Sequence, residues 1–240
     1  MIITFTSIML FVLSCEGNKK EKQQLNDIEK EVVESLGAAG LKAEDFKNKI
    51  DELLTLEIAT QVSGLPNNEA EKEYSKFSAL ESLKYKWKSN RTKKMTINGQ
   101  SLNVPAQNTI QLSWVKNTSL EQFKHDYHNP TAIELKNAEE AMNNKMNELN
   151  AEGKASKEQT DKAKSTAKAS IPKFKVEEVP NLGNYAVFVN SGIMGTTTRV
   201  LKVFYKGLSF TLEVDLSDDS TINDKKAIET AKMIIDQKLK

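Results

Sequence analysis

Alternating apolar and polar residues predict two strands in the first half of the chain, at 83–88 and 109–116. Successive side chains of a strand point to opposite faces, so each alternation indicates one dry face and one polar face. The side chains expected on the dry face are Leu83, Tyr85, Trp87, Ile110, Leu112 and Trp114. Between the two stretches, Asn98-Gly99 is typical of a tight hairpin turn. This half of the chain therefore predicts an antiparallel sheet.

The same alternation returns near the C-terminus, where 199–205 and 208–216 flank a two-residue loop. Pairing across that loop places six apolar side chains on one face, so the pattern and the register agree. The expected pairs are Tyr205 with Leu208, Val203 with Phe210, and Leu201 with Leu212. Another alternating strand begins at Tyr185, and 190–196 is expected to be a glycine-bearing loop.

Apolar residues at intervals of three and four predict helices around these strands. The expected helices are 24–36, about 42–52, Thr55 to Gly64, 120–127, a helix after Pro130 that ends at Gly153, and a final one that Thr221 caps. Thr118 or Ser119 caps the helix at 120–127, and Gln122 is placed for a capping box if the cap is Ser119. The segment 154–170 has no large apolar residue, which leaves an exposed helix and a disordered loop as alternatives.

Together these patterns predict an α+β fold in which helices cover an antiparallel sheet, as in an α/β sandwich. We expect a single domain at 25–240, with helices at its N-terminal end. A helical insertion at about 130–170 is expected to project from this domain.

The first fourteen residues carry no charged side chain and are followed by Cys15. A helix needs about 20 apolar residues to cross a bilayer, so this shorter run is typical of a signal peptide. Cys15 follows the small residue Ser14 and precedes a polar stretch. The pattern predicts cleavage after residue 14, lipid attachment to Cys15 and a tether at 15–24. The alternative is a buried N-terminal strand with an incidental thiol.

Composition narrows the function. The 240 residues have a net charge of +1, whereas general nucleic-acid binders carry a pronounced basic excess. Cys15 is the only cysteine, so its lipidation would exclude both an intramolecular disulfide and thiol catalysis. We expect no nucleic-acid partner.

Several stretches resemble a family of bacterial lipoproteins. They are the short helix from Leu53 to Gly64, the following tryptophan-bearing strand, 179–186 with its sequence VPNLGNYA, the hairpin and the closing helix. Proteins of this family are similar in outline to the PsbP/Mog-type α/β sandwich. The resemblance covers about 53–116 and 176–239, and it implies a fold without implying an activity or a functional residue.

One cluster of basic residues is a candidate anion-binding surface, because three of its lysines share a strand face. Its members are Lys84, Lys86, Lys88, Arg91, Lys93 and Lys94. An anionic lipid, an acidic glycan or an envelope protein would be its partner. The alternative is that these lysines keep a sheet face or edge soluble.

His125 and His128 stand three residues apart, which could place two imidazoles on one helix face. A metal site needs further ligands, and the chain has neither a third histidine nor a second cysteine. Two exposed histidines near a helix end are the preferred interpretation, so no metal and no cofactor are expected.

The sequence therefore predicts a bacterial envelope lipoprotein that is held on the membrane through Cys15. Its domain is expected to bind or scaffold a partner and not to be an enzyme. The alternative is an envelope hydrolase or metal-dependent enzyme whose site the sequence does not reveal.

Overall fold

The computed structural model describes residues 40–77, 80–97, 100–170, 175–193 and 196–240. Within them, contacts divide the chain into two compact units. The sheet unit comprises 40–128 and 175–240, and the helical unit comprises 129–170. The helix expected at 24–36, the Asn98-Gly99 turn and Cys15 lie outside the described residues.

The sheet unit has an α+β fold built on a seven-stranded antiparallel sheet. Its strands are β1 (Glu71–Phe77), β2 (Leu80–Trp87), β5 (Asn108–Asn117), β6 (Lys175–Glu178), β7 (Tyr185–Ile193), β8 (Thr196–Tyr205) and β9 (Leu208–Asp215). They are ordered β1-β2-β5-β9-β8-β7-β6 across the sheet. Strands β3 (Thr92–Ile97) and β4 (Gln100–Pro105) form a separate two-stranded sheet in the segment of chain that connects β2 to β5.

The helices are α1 (Leu56–Ser63), α2 (Leu120–Asp126), α3 (Ala132–Ala151), α4 (Lys157–Ser170) and α5 (Ser220–Lys238). Helices α1 and α5 lie against one face of the large sheet, since their apolar stripes form one cluster with the buried side chains of that face. We call it the core face. Helix α2 packs on the opposite face at β7 and β8, where Phe123 and Phe204 are buried together. We call this opposite face the polar face.

Several local predictions are confirmed. The Thr55 hydroxyl accepts a hydrogen bond from the backbone N–H of Ile58, and Gly64 ends α1 in the left-handed conformation with φ +71°. The β8–β9 register is the expected one, with Val203 opposite Phe210. Both loop residues of this hairpin have positive φ, as a type I′ turn requires.

Other predictions were wrong in detail. The helix expected at 42–52 is two short 3₁₀ turns, because Asn48 between them has φ +60° and donates its N–H to the Glu81 carboxylate. The loop expected at 190–196 is largely strand, since β7 runs to Ile193 and pairs with Thr196 of β8.

The caps of two helices also differ. Helix α5 is capped by Asp219, whose carboxylate accepts from the N–H and hydroxyl of Thr221. Ser119 caps α2, but the Gln122 side chain donates to Asp126, so the capping box is absent. In each case the sequence offers a second hydrogen-bonding side chain within one turn of the cap, and the pattern alone does not decide which contact forms.

The largest error concerns Trp114, which was expected on the core face. A β-bulge interrupts the β5–β9 ladder, where Ser113 pairs with Thr211 and Lys116 pairs with Ser209. Trp114 and Val115 together occupy the place of one residue, and Trp114 has φ +57°. Val115 therefore packs against the core, while the Trp114 side chain is 48% exposed.

The helical unit consists of two helices, α3 and α4, that contact each other. Helix α3 begins with a capping box between Thr131 and Glu134, and α4 accounts for most of the segment that was expected to be either helix or loop. The Asn150 amide donates to the Thr160 hydroxyl between the two helices. None of the described helices is both long and apolar enough to cross a membrane.

Candidate functional site

A row of hydroxyl side chains crosses the polar face of the sheet from β1 to β9. Ser75, Ser82, Ser113 and Thr211 are cross-strand partners in four neighbouring strands, and Lys202 of β8 follows in the same row. The Ser75 and Ser82 hydroxyl oxygens are 2.7 Å apart, and the other two hydroxyl residues are buried. The hydroxyl row, as we call these four residues, therefore leads toward a single amine.

Lys202 is held between two aromatic rings. Its Nζ donates to the Thr211 hydroxyl at 2.9 Å and lies 5.2 Å from the centroid of the Tyr127 ring. The distance from the same atom to the Trp114 ring centroid is 5.7 Å. We call Lys202, Thr211, Trp114 and Tyr127 the aromatic–lysine site.

The β-bulge and α2 bring the two rings together. The bulge turns Trp114 away from the core, and the position of its ring near Lys202 places it on the polar face. Tyr127 directly follows α2 and packs edge-on against Phe123, with ring centroids 4.9 Å apart. Phe123 is buried in the apolar cluster that α2 forms with β7 and β8 on the polar face. Because Tyr127 packs against this cluster, its ring is held above the sheet.

Lys202 is desolvated without a compensating carboxylate in the described part of the chain. Burial, with a smaller contribution from the charge of Lys116, lowers the pKa of its amine to about 8. Glu213, on the same face of neighbouring β9, shows the corresponding effect, since burial raises the pKa of its carboxyl. The polar face thus holds two half-buried ionisable groups whose charged forms are disfavoured by burial.

Such an arrangement can bind a ligand. Trp114 offers an exposed aromatic surface, Lys202 supplies a cation that can gain a charged partner, and the hydroxyl row supplies hydrogen-bond donors and acceptors. A carboxylate or another anion next to Lys202 would restore the solvation that burial has removed.

The lysine cluster predicted from the sequence is partly neutralised. Lys86 lies 3.2 Å from the Glu73 carboxylate and 3.5 Å from that of Glu71. Lys84 is half-buried on the polar face and lies close enough to Glu213 to affect its carboxyl. Lys88 is exposed, and the Lys94 side chain lies outside the described residues.

The two remaining members of that cluster join the β3–β4 hairpin to the end of β9. Arg91 donates to the Asp215 carboxylate at 3.1 Å and to the Asp218 carboxylate at 3.0 Å, while Lys93 pairs with Asp215. The Arg91 side chain is only 16% exposed. These ion pairs indicate that Arg91 stabilises the fold and is not available to bind a ligand.

The two histidines do not form a metal site with the other described residues, where no group of three potential ligands is present. His125 is 75% exposed, and the two ring centroids are 6.0 Å apart. Nδ1 of His128 lies 2.6 Å from the backbone carbonyl oxygen of His125, a contact within the turn that ends α2.

A second ionic cluster lies at the β6 edge of the sheet. Arg199 donates to Asp224 at 2.8 Å and to Glu177 at 2.7 Å, and its guanidinium lies 4.4 Å from the centroid of the Phe188 ring. Hydrogen bonds from Lys175 and Arg199 lower the pKa of the Glu177 carboxyl to about 2. Every member has an opposite charge beside it, so this cluster joins β6 and β8 to α5.

In comparisons with known proteins, no family model, no curated protein and no solved structure matches the chain.

The sequence contained one unused signal for the aromatic–lysine site. In β8, Lys202 stands on the polar face between Val200 and Phe204, so a charged residue interrupts an apolar stripe. A lysine with apolar neighbours on its own face indicates partial burial. The bulge that brings Trp114 to this face left no comparable signal.

Proposed function

We propose that this protein is a lipid-anchored binding protein of the bacterial envelope, in which the polar face of the sheet takes up an anionic partner. The anchor is Cys15, on the sequence pattern given above. The aromatic–lysine site carries the binding part of the proposal. An exposed tryptophan beside a desolvated cation is a combination that an anionic ligand can satisfy.

The anchor has a direct test. Cys15→Ser should abolish palmitate labelling in a bacterial host and move the protein from the membrane fraction to the soluble fraction. The wild-type chain is the control. Unchanged membrane association of the variant would contradict the anchor, whatever the sheet binds.

The binding part can be read from tryptophan fluorescence. The chain has two tryptophans, of which Trp87 is 1% exposed and Trp114 is 48% exposed. An anionic ligand should change the emission of the wild type and leave that of Trp114→Phe unchanged. If neither polygalacturonate nor phosphatidylglycerol vesicles change the emission, the polar face is not an anion-binding surface. Conversion of a bound probe into a product would favour the enzymatic alternative.

A further inference from the structure

The geometry points to a carboxylated sugar as the ligand of the aromatic–lysine site, with the sugar ring against Trp114 and its carboxylate on Lys202. This inference rests on the proposed function and specifies its ligand. It uses three observations: the position of the exposed indole, the half-buried amine of Lys202 beside it, and the chemistry of the surrounding side chains.

The exposed indole supplies the surface for a sugar ring. One face of a pyranose carries mainly C–H groups, and such a face packs well against the flat apolar surface of an aromatic ring. Trp114 owes its exposure to a β-bulge in which it adopts φ +57°, a conformation that bulky residues rarely take. Bulges commonly redirect a side chain next to a functional site, and a backbone outlier of this kind supports a functional hypothesis.

The amine supplies the carboxylate partner. The Lys202 Nζ atom lies 5.7 Å from the Trp114 centroid and 5.2 Å from the Tyr127 centroid, so the amine is close to the indole that would carry the sugar ring. A uronic acid carries its carboxylate one bond from the ring, which allows ring stacking and ion pairing at the same time. An ammonium–carboxylate hydrogen bond of about 2.8 Å would give Lys202 a countercharge.

The hydroxyl row favours a sugar over a lipid surface. Ser82, Ser113 and Thr211 extend across the sheet toward Lys202, so the amine is approached by hydroxyl residues, of which Thr211 accepts from Lys202 and Ser82 pairs with Ser75. A membrane-binding face would instead surround its cation with exposed apolar side chains. A phosphate would favour several converging cations, whereas the charged groups around Lys202 include the carboxylates of Asp126 and Glu213 as well as Lys116.

The charged neighbours of Lys202 define the expected pH dependence. Lys116 of β5 is close enough to lower the pKa of Lys202, and its Nζ lies 4.0 Å from the carboxylate of Asp126 of α2. Glu213 of β9 lies on the same polar face. Burial raises the pKa of the Tyr127 phenol, so the neutral form of this group is favoured. Since the pKa of Lys202 is lowered to about 8, carboxylate binding should weaken as the pH rises from 7 to 9.5.

The test uses the lipidated full-length chain in phosphatidylcholine vesicles, with trigalacturonic acid as the probe. Trp114 emission should titrate with the acid at pH 7, and the trimethyl ester, which keeps the rings but loses the charges, should bind at least tenfold more weakly. Lys202→Met should weaken binding of the acid at least tenfold. Lys232→Met, at an exposed lysine of α5 on the core-face side of the sheet, should leave it within twofold.

Lys202→Arg separates the charge from other effects of substitution, because a guanidinium stays protonated at pH 9.5. This variant should bind the acid, and its affinity should change less between pH 7 and 9.5 than that of the wild type. Equal binding of acid and ester, or unchanged binding by Lys202→Met, would overturn the inference. If phosphatidylglycerol in the vesicles changes Trp114 emission but trigalacturonic acid does not, the ligand is lipid. In that case the sugar assignment fails and the proposed function remains.

Discussion

Charged side chains have opposite environments on the two faces of the seven-stranded sheet. At the margin of the core face, Arg199 and its carboxylate partners are paired, and the pKa of Glu177 is lowered to about 2, so its charged form is favoured. On the polar face, burial lowers the pKa of Lys202 to about 8 and raises that of Glu213, so the charged form of each is less stable than it is in water. Paired charges join elements of a fold, whereas desolvated charges cost stability. The difference fits a core face that stabilises the fold, and it supports our proposal that the polar face binds a ligand.

Placing a charge in the core face is the most severe way to test this division. Val203→Asp buries a carboxylate at a position that is 0% exposed, among apolar side chains of α5 and β9. We expect a loss of at least about 4 kcal/mol in the free energy of unfolding, measured by urea denaturation. Val203→Ala, which removes volume without adding charge, should cost about 2 kcal/mol or less. Equal losses in the two variants would show that the aspartate reaches water.

Removing the charge from the polar face should have the opposite sign. Lys202→Met keeps an unbranched side chain and removes a desolvated ammonium, so it should raise the free energy of unfolding at pH 7 by about 2 kcal/mol. The gain should be full below pH 8 and should decline as the pH rises toward 10.5. Between these values the folded wild type has released the Lys202 proton that the unfolded chain still binds, so the wild type becomes more stable as the pH rises. Urea denaturation at pH 7 and 9.5 measures both effects.

Lys84→Met is the matched control, since this lysine lies on the same face and favours the charged form of Glu213. It should lower stability slightly. If Lys202→Met destabilises the protein at pH 7, the amine is a structural element and the division between the two faces is wrong.

The sequence predicted the core face better than the polar face, and the reason is physical. A dry face requires apolar side chains at every second position, so Leu201, Val203 and Phe210 could be assigned together with their register. The exposed strand β1 was missed because Glu71–Phe77 mixes charged and aromatic residues and all seven are exposed. A strand without a dry face leaves no periodic apolar signal.

The candidate site could not be predicted because it depends on a departure from periodicity. Continuing the alternation of Ile110 and Leu112 places Trp114 inside, and only the β-bulge reverses that assignment. Tyr127 reaches the site through the packing of α2, which joins residues distant in sequence. The lysine cluster, by contrast, was evident in sequence, but three of its members have acidic partners from other strands or loops.

A smaller gain is expected from Glu213→Gln. The raised pKa of this half-buried carboxyl means that ionisation costs stability in the folded protein. At pH 7 the glutamine variant should be more stable by about 1 kcal/mol. Near pH 4 the difference should disappear, because the carboxyl is then protonated in both the folded and the unfolded chain. A gain that persists unchanged at pH 4 would arise from packing or hydrogen bonding, and not from charge.

The smallest effect should come from Glu177→Gln at the margin of the core face, and its sign should be the reverse. The pKa of this carboxyl is lowered to about 2 by Lys175 and Arg199, so the glutamate stabilises the fold above the unfolded value of 4.5 and loses this contribution as the pH falls toward 2. Because the side chain is 38% exposed, solvent screening limits the loss in the variant to about 1 kcal/mol or less at pH 7. Urea denaturation between pH 7 and 3 should show the wild type and Glu177→Gln converging on acidification. Glu213→Gln should also converge on the wild type, but from greater stability. If both variants lie on the same side of the wild type at pH 7, charge is not divided between the two faces in the way that the structure indicates.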